Sequence, residues 1–277
     1  KKHLSGSTVR KNAAVLTSAA AVNDTTVTIS DATDISVGDT INIDVNNDVD
    51  TNWDYNSEYE VTGKSGNTLT VSPAIAHVRK VGSLVQRLNR SIEIKGLSTD
   101  TRAFCYVEYW TDYNQASTRE IGLKDILWNG MGGNTNNNFY RAQVFVAGYN
   151  SRYRDNEYTT NSRQDYQSKY ENCVVLNEPT HVNYGGMNTR HTHGFVHRNC
   201  ISVYSGERAY WQWSSHHDTQ FVNNYATRNG YNSLHNDGMY EANEWGYCYF
   251  TRSDDYGFMT HHNREMNPVH NMILLNH

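Results

Sequence analysis

The chain has 277 residues, a formal net charge of -5 and an apolar content of only 37%, yet it carries 20 Tyr, 6 Trp and 7 Phe. That aromatic load excludes disorder over most of the length, and the absence of a basic field excludes a dedicated nucleic-acid binder. There is no apolar run long enough for a membrane helix, and the scarcity of Leu, Glu and Lys beside abundant Asn, Thr, Ser, Gly and Tyr disfavours long helices. A mean hydropathy of -0.75 suits a sheet-rich protein with a large wet surface.

Residues 1–24 are small and polar and read as an N-terminal arm; a start at Lys1 rather than Met reads as a processed chain, a fragment or part of something longer. Residues 25–88 read as an antiparallel β module. In Thr25–Val45 the apolar positions Val27, Ile29, Ile41, Ile43 and Val45 alternate, the period of half-buried strands, with a turn at Val37-Gly38-Asp39. Glu58–Ile75 repeats the pattern: Tyr59 and Val61 lead into a turn at Ser65-Gly66-Asn67, Leu69 and Val71 pair back, and Pro73 ends the strand. The Asn- and Asp-rich stretch 46–57 reads as an exposed loop.

Over 89–277 the pattern changes to short strand-like pieces between irregular polar loops. They are predicted at 91–96, 104–110, 119–127, 140–147, 170–176, 195–203, 221–227, 239–249 and 269–275. Asn172, Asn199 and Asn224 recur at spacings of 27 and 25, and Asn243 and Asn271 continue the series less regularly. Short strands with a recurrent Asn corner predict a right-handed parallel β-helix. Asn tolerates the left-handed backbone of a corner, and its amide can bond its counterpart one coil away. In the same register Cys173 and Cys200 stack in adjacent coils. They are expected as free thiols, because an inward ladder packs sulfur as a small apolar group. None of Cys105, Cys173, Cys200 and Cys248 lies in a Cys-x-x-Cys pair.

The block VGDTINI, followed by His77, Val85, Leu88, Arg90, Ile92, Ile94 and Gly96 in the spacing of a β-helix entry, resembles a known family. That family joins an eight-glycine domain to a pectate-lyase-like β-helix and includes cell-surface hyaluronan-degrading proteins. LKDILWNGMGG (Leu123–Gly133) is similar to the family's rung ending in Met-Gly. The resemblance implies the fold over residues 25–135. It does not extend to the family's His-containing rung, where this chain reads Tyr140-Arg141-Ala142-Gln143-Val144-Phe145, nor to its later His-Gly rung near Trp213–His217. VGDTINI…GNTLTV also resembles modules of bacteriophage virion and tail proteins, which implies an extracellular or virion setting with sister subunits or other virion proteins as partners.

Eleven of the 13 His lie after residue 180. His191 and His193 share one face of a strand and are candidate metal ligands; His197 completes a tight set with them. His216, Asp218, Asp254, Asp255 and Arg208 are candidate catalytic groups. Asp237, Glu241 and Glu244 form a further carboxylate cluster, and Arg228 and Arg252 are further candidate bases. Glycoside hydrolysis needs two carboxyls about 5–10 Å apart. Polysaccharide lyases on β-helices instead use a basic residue with Ca²⁺ held by Asp and Glu, which makes Ca²⁺ the cofactor to consider. Against these readings stands one in which the polar side chains merely satisfy each other in stacked ladders.

Tyr210, Trp211, Trp213 and His217 are the candidate carbohydrate-binding set. A pyranose has an apolar face and a hydroxyl rim, so exposed Trp and Tyr beside hydrogen-bonding groups form a stacking platform. Alternation puts Trp211 and Trp213 on one face and Arg208 on the other, with a Ser-Ser turn expected before His216. The opposing reading places both Trp inside the coil. There is no Gly-x-Ser-x-Gly elbow and no phosphate loop. Two functions remain: a virion-surface or extracellular structural β-helix that contacts a glycan, and a polysaccharide-degrading enzyme of the same fold.

Overall fold

The computed structural model describes residues 2–5, 13–44, 58–96, 105–111, 121–131, 144–150, 169–176, 186–190, 195–203, 208–216, 220–229, 232–239, 244–246, 249–253, 256–261, 269–270 and 273–275. All secondary structure among them is β, in two compact units, 8–90 and 1–7 with 91–277. The expected arm is therefore divided. Its first strand, β1 (Lys2–Ser5), pairs in parallel with residues 121–124, whereas Ala13–Val15 pairs with 84–86 inside the antiparallel unit. Composition could not show this, because a strand of KHLS acquires its pairing from a neighbour more than a hundred residues away in the sequence. The antiparallel unit is thus an insertion, in chain order, between β1 and the rest of the parallel coil.

The inserted unit contains β2 (Ala13–Val15), β3 (Thr26–Thr28), β4 (Thr40–Ile43), β5 (Glu58–Ser65), β6 (Thr68–Ser72) and β7 (Leu84–Arg87), in the sheet order β2-β7-β4-β5-β6-β3. The expected alternation is what builds its core: Val27, Ile29, Ile41, Ile43, Tyr59, Val61, Leu69 and Val71 are all buried in one cluster. Some of the polar groups taken inside are paired with each other. Asn42 donates to Gln86 at 2.9 Å, and the fully buried Arg79 donates to the His77 carbonyl at 3.0 Å and the Tyr59 hydroxyl at 3.1 Å. Val45 and the expected loop 46–57 lie outside the described residues.

The second unit is a parallel β-helix. Each coil crosses three sheets in turn, so strands one coil apart pair in register: Val196 meets Lys169 and Gln220 meets Val196, whereas in the longer early coils Val174 meets Leu127. The first coil continues from β1 through β8 (Ile92–Lys95) and β9 (Cys105–Thr111). The next runs through β10 (Ile121–Lys124), β11 (Ile126–Asn129) and β12 (Val144–Asn150). Then come β13 (Lys169–Glu171), β14 (Val174–Leu176) and β15 (Met187–Arg190), followed by β16 (Val196–Arg198), β17 (Ile201–Val203) and β18 (Arg208–His216). The last coils contain β19 (Gln220–Val222), β20 (Tyr225–Asn229), β21 (Asn232–Met239), β22 (Glu244–Gly246), β23 (Tyr249–Ser253), β24 (Tyr256–His261), β25 (Val269–His270) and β26 (Ile273–Leu275). The sheets are β1-β10-β13-β16-β19-β22-β25, β8-β11-β14-β17-β20-β23-β26 and β9-β12-β15-β18-β21-β24.

Most of the strands predicted as single pieces are pairs bent at a corner. Asp125, Asn172, Asn199 and Asn223 hold φ of 56°, 55°, 54° and 55° at equivalent points of four coils. The Asn172 amide donates to Asp125 Oδ1 at 2.7 Å, and the Asn223 amide donates to Asn199 Oδ1 at 2.7 Å. The corner is thus Asn223, not Asn224. Asn224 lies one position further on, fully buried, accepting from the Cys200 amide at 3.0 Å and donating to the His197 carbonyl at 2.9 Å. Asn243 and Asn271 lie outside the described residues.

Cys173 and Cys200 stand at matched positions between the register pairs Glu171↔Arg198 and Val174↔Ile201. Both are fully buried free thiols, as the ladder predicts. Burial pushes the Cys105 thiol up, partly opposed by the neighbouring Trp128 side chain.

The coil interior is lined by an aromatic spine. Trp128 meets Tyr170 edge-on, Tyr170 meets Phe195 and His197, and His197 stacks on Phe221 with centroids 4.2 Å apart. The second sheet is buried on both faces at Val174, Val175, Ile201 and Val203, which is why its strands read as unbroken apolar runs. On the first sheet Glu171 bonds Lys169 at 2.9 Å and lies 3.7 Å from Lys124. Burial alone would raise its carboxyl; Lys169, then Lys124 and Arg198, outweigh burial and hold it below the usual carboxylate range.

Candidate functional site

The third sheet holds several of the candidate residues. Its inner row is fixed by Val144, Val146, Met187, Thr189 and Tyr210, all fully buried. Tyr210 is thereby removed from the expected surface set: its ring packs edge-on to Phe221 and its hydroxyl donates to the Tyr225 carbonyl at 2.7 Å. Tyr170 is likewise interior, its hydroxyl donating to the Asn188 carbonyl at 3.2 Å.

Residues alternating with the inner row belong to the other face of the sheet. Backbone register places them in lines that run from coil to coil. One line is Tyr106, Phe145, Asn188, Trp211, His235 and Met259. The next is Glu108, Ala147, Arg190, Trp213, Asp237 and His261. Neighbouring members are about 4.8 Å apart, the spacing of paired strands. Trp211 and Trp213 therefore share one parity of β18, alternate to Tyr210, in register with Asn188 and Arg190 on one side and His235 and Asp237 on the other.

Asn188 is 1% exposed, and neither its amide nitrogen nor its oxygen has a hydrogen-bond partner. The register slips by a bulge between Trp213 and His216, and β18 continues to His216 opposite Met239. The expected Ser-Ser turn is therefore strand, because pairing with β21 carries the backbone through it.

The other candidates scatter. Arg208 pairs with Asn232 at the far end of β18, in the parity of Tyr210. Arg228 and Arg252 lie on β20 and β23 of the second sheet, and Glu244 on β22 of the first, so neither joins Asp237. His197 is a core residue: wholly buried among Tyr170, Phe195, Tyr210 and Phe221, with both ring nitrogens unbonded, its pKa falls to about 3 by desolvation. His191, His193, His217, Asp218, Glu241, Asp254 and Asp255 lie outside the described residues. Among the described residues no group of three or more His, Cys, Asp and Glu is arranged to hold a metal ion. No helix among them is long and apolar enough to cross a membrane. Sequence reasoning did not single out Arg190 or His235, because register alone brings them beside the two Trp.

No family model and no curated protein matches the chain. Among solved structures it is similar to the Gp54 tailspike of Acinetobacter baumannii bacteriophage AP22, a structure in complex with A. baumannii capsular saccharide. The identity is 10% and the TM-score 0.25, over 95% of this chain and 56% of that one. It is similar also to the tailspike gp49 from Pseudomonas phage LKA1, at 13% identity and a TM-score of 0.24, over 87% of this chain and 46% of that one. The Pseudomonas phage phi297 tailspike gp61 follows at 12% identity and a TM-score of 0.24, over 93% and 47%. The chain spans about half the length of these structures. Likeness at this level carries no argument about what the chain binds.

Proposed function

We propose that this protein is a virion-surface β-helix that contacts a glycan through the outer face of its third sheet. The carrying observation is the register that separates Trp211 and Trp213 from the buried Tyr210 and sets them among Asn188, Arg190, His235 and Asp237. Two Trp two residues apart on one strand face offer a flat apolar platform, and the flanking coils supply groups that can bond sugar hydroxyls. The resemblance of VGDTINI…GNTLTV to phage virion modules supports the setting.

Replacing Trp211 and Trp213 together with Ala tests the reading. Retention on host-surface polysaccharide is expected to disappear while the melting temperature is unchanged. A stability loss of several kcal/mol, the usual cost of deleting a buried Trp, would place them in the interior instead.

A second reading, cleavage of the same glycan, rests on Asp237 and His261 lying on adjacent coils in the line of Trp213. Release of new reducing or unsaturated ends from the bound polysaccharide, abolished in Asp237→Asn, separates cleavage from binding alone.

A further inference from the structure

We infer that the outer face of the first sheet binds a doubly charged oxyanion, a phosphate monoester, at Lys124, Lys169 and Arg198. This site lies on a different sheet from the glycan-contacting face and shares none of its residues; that a sugar carries the phosphate is the one part resting on that reading.

Alternation sets the site. Leu123, Tyr170 and His197 are buried in the coil interior, so their neighbours Lys124, Glu171 and Arg198 belong to the outer face. Register puts these three in one line across β10, β13 and β16, about 4.8 Å from coil to coil. Lys169 stands two residues before Glu171 on the same strand and therefore on the same face. The side chains of Lys124 and Lys169 are 34% and 33% exposed and Arg198 is exposed, while Glu171 lies lower, at 14%.

The cations are gathered rather than dispersed. The chain has a net charge of -5, yet three of the four Lys and Arg whose side chains are described in the coil unit meet around this one carboxylate, Lys95 being the fourth. Both ammonium groups reach the same Glu171 oxygen, at 3.7 and 2.9 Å, so they are no more than 6.6 Å apart. Arg198 acts on the same carboxylate from the next coil. Together the three keep Glu171 ionised, and its single charge cancels one of theirs. Two positive charges remain at the rim, held together by a carboxylate at the floor.

Charge and donor number select the ligand. A phosphate monoester carries about two negative charges at neutral pH and three strong acceptor oxygens, one for each cation. Each oxygen can accept a charge-assisted bond of about 2.8 Å. A carboxylate or a sulfate ester brings a single charge and leaves the other positive charge uncompensated, and a neutral sugar leaves both. Because Glu171 has already gathered the cations, the ligand is spared the cost of ordering them.

The test titrates the whole chain at low ionic strength and neutral pH with glucose 6-phosphate, glucose 6-sulfate, glucuronate and glucose, followed by saturation-transfer NMR. Glucose 6-phosphate is expected to bind about fivefold or more tighter than either monoanion, and glucose least of all. Lys124→Gln/Lys169→Gln and Arg198→Gln should each weaken it about fivefold or more. Lys124→Arg/Lys169→Arg should keep most of the affinity, and Lys95→Gln, on the second sheet, should change nothing. Should the double Gln variant melt lower than wild type, Arg198→Gln, exposed and outside both ion pairs, decides. Equal affinity for phosphate and monoanions, or a phosphate affinity that survives Arg198→Gln, overturns the inference.

Its failure is distinguishable from failure of the glycan-contacting reading. In Trp211→Ala/Trp213→Ala the phosphate is expected to bind as in wild type, and its loss there would move the site to the third sheet and overturn the inference. Polysaccharide retention indifferent to that double variant, with phosphate binding intact, refutes the platform and keeps the phosphate site.

Discussion

His197 occupies the coil interior, stacked on Phe221, in a place where its charged form has no partner. Its native pKa of about 3 lies below the unfolded value of 6.5, so the unfolded chain takes up a proton that the folded chain refuses. Above the unfolded value both states are neutral and the residue adds no pH dependence. As pH falls from 6.5 toward 3, stability is lost at about 1.4 kcal/mol per unit. His197→Phe is therefore expected to lose about 2 kcal/mol less than wild type between pH 7 and pH 5, read by urea unfolding at both. Equal losses would mean that the imidazole finds a partner or water once protonated.

Asn199 illustrates the other use of a polar side chain. Its oxygen accepts from Asn223 while its backbone stands at φ 54°. Asn199→Ala loses the ladder bond and strains the backbone, and about 2 kcal/mol is expected. Asn199→Gly loses only the bond, and about half that cost is expected. If both variants unfold like wild type, the corner ladder adds nothing to stability.

At the scale of elements, coils approach closely where strands end. A Cβ on Gly96 would lie 2.2 Å from the Gly130 carbonyl oxygen, and the Gly96 amide donates to the Asn129 carbonyl at 2.9 Å. The obstacle is backbone, which cannot swing aside, so Gly96→Ala is expected to cost roughly 1–3 kcal/mol as overpacking does. Gly130 presents the opposite case: nothing lies within 4 Å of its added Cβ, but its φ is +61°. Gly130→Ala should cost about 1 kcal/mol, from backbone strain alone. Thermal unfolding of the two variants orders them; a reversed order would mean that the Gly96 contact relaxes.

For the molecule as a whole, the inserted unit has a hydrophobic cluster made only of its own residues, from Ala14 to Val85. Residues 8–90 expressed alone are expected to melt cooperatively, because the buried alternating positions and the buried Arg79–Tyr59 pair are all contained within them. A broad, non-cooperative melt would show that the unit depends on the coil for its fold.

The sequence by itself determined the antiparallel module and the existence of the coil. The alternation from Val27 to Val71 is a local signal whether the partner is near, as Val71 is to Val61, or distant, as Leu69 is from Val27. The recurrent Asn, the paired thiols Cys173 and Cys200, and the short apolar runs of the second sheet announced stacked rungs for the same reason: each coil repeats one environment. Tertiary structure alone decided β15 and β21 of the third sheet. MNTR and NSLHNDGM have no strand pattern of their own and become strands by pairing with neighbours above and below. It also decided that Tyr210 goes in, that Asn223 rather than Asn224 turns the corner, and that Arg190, Trp213, Asp237 and His261 fall in one line of register. Parallel pairing joins residues a full coil apart in the chain, so the neighbours that make the surface are set by register, which no local window contains.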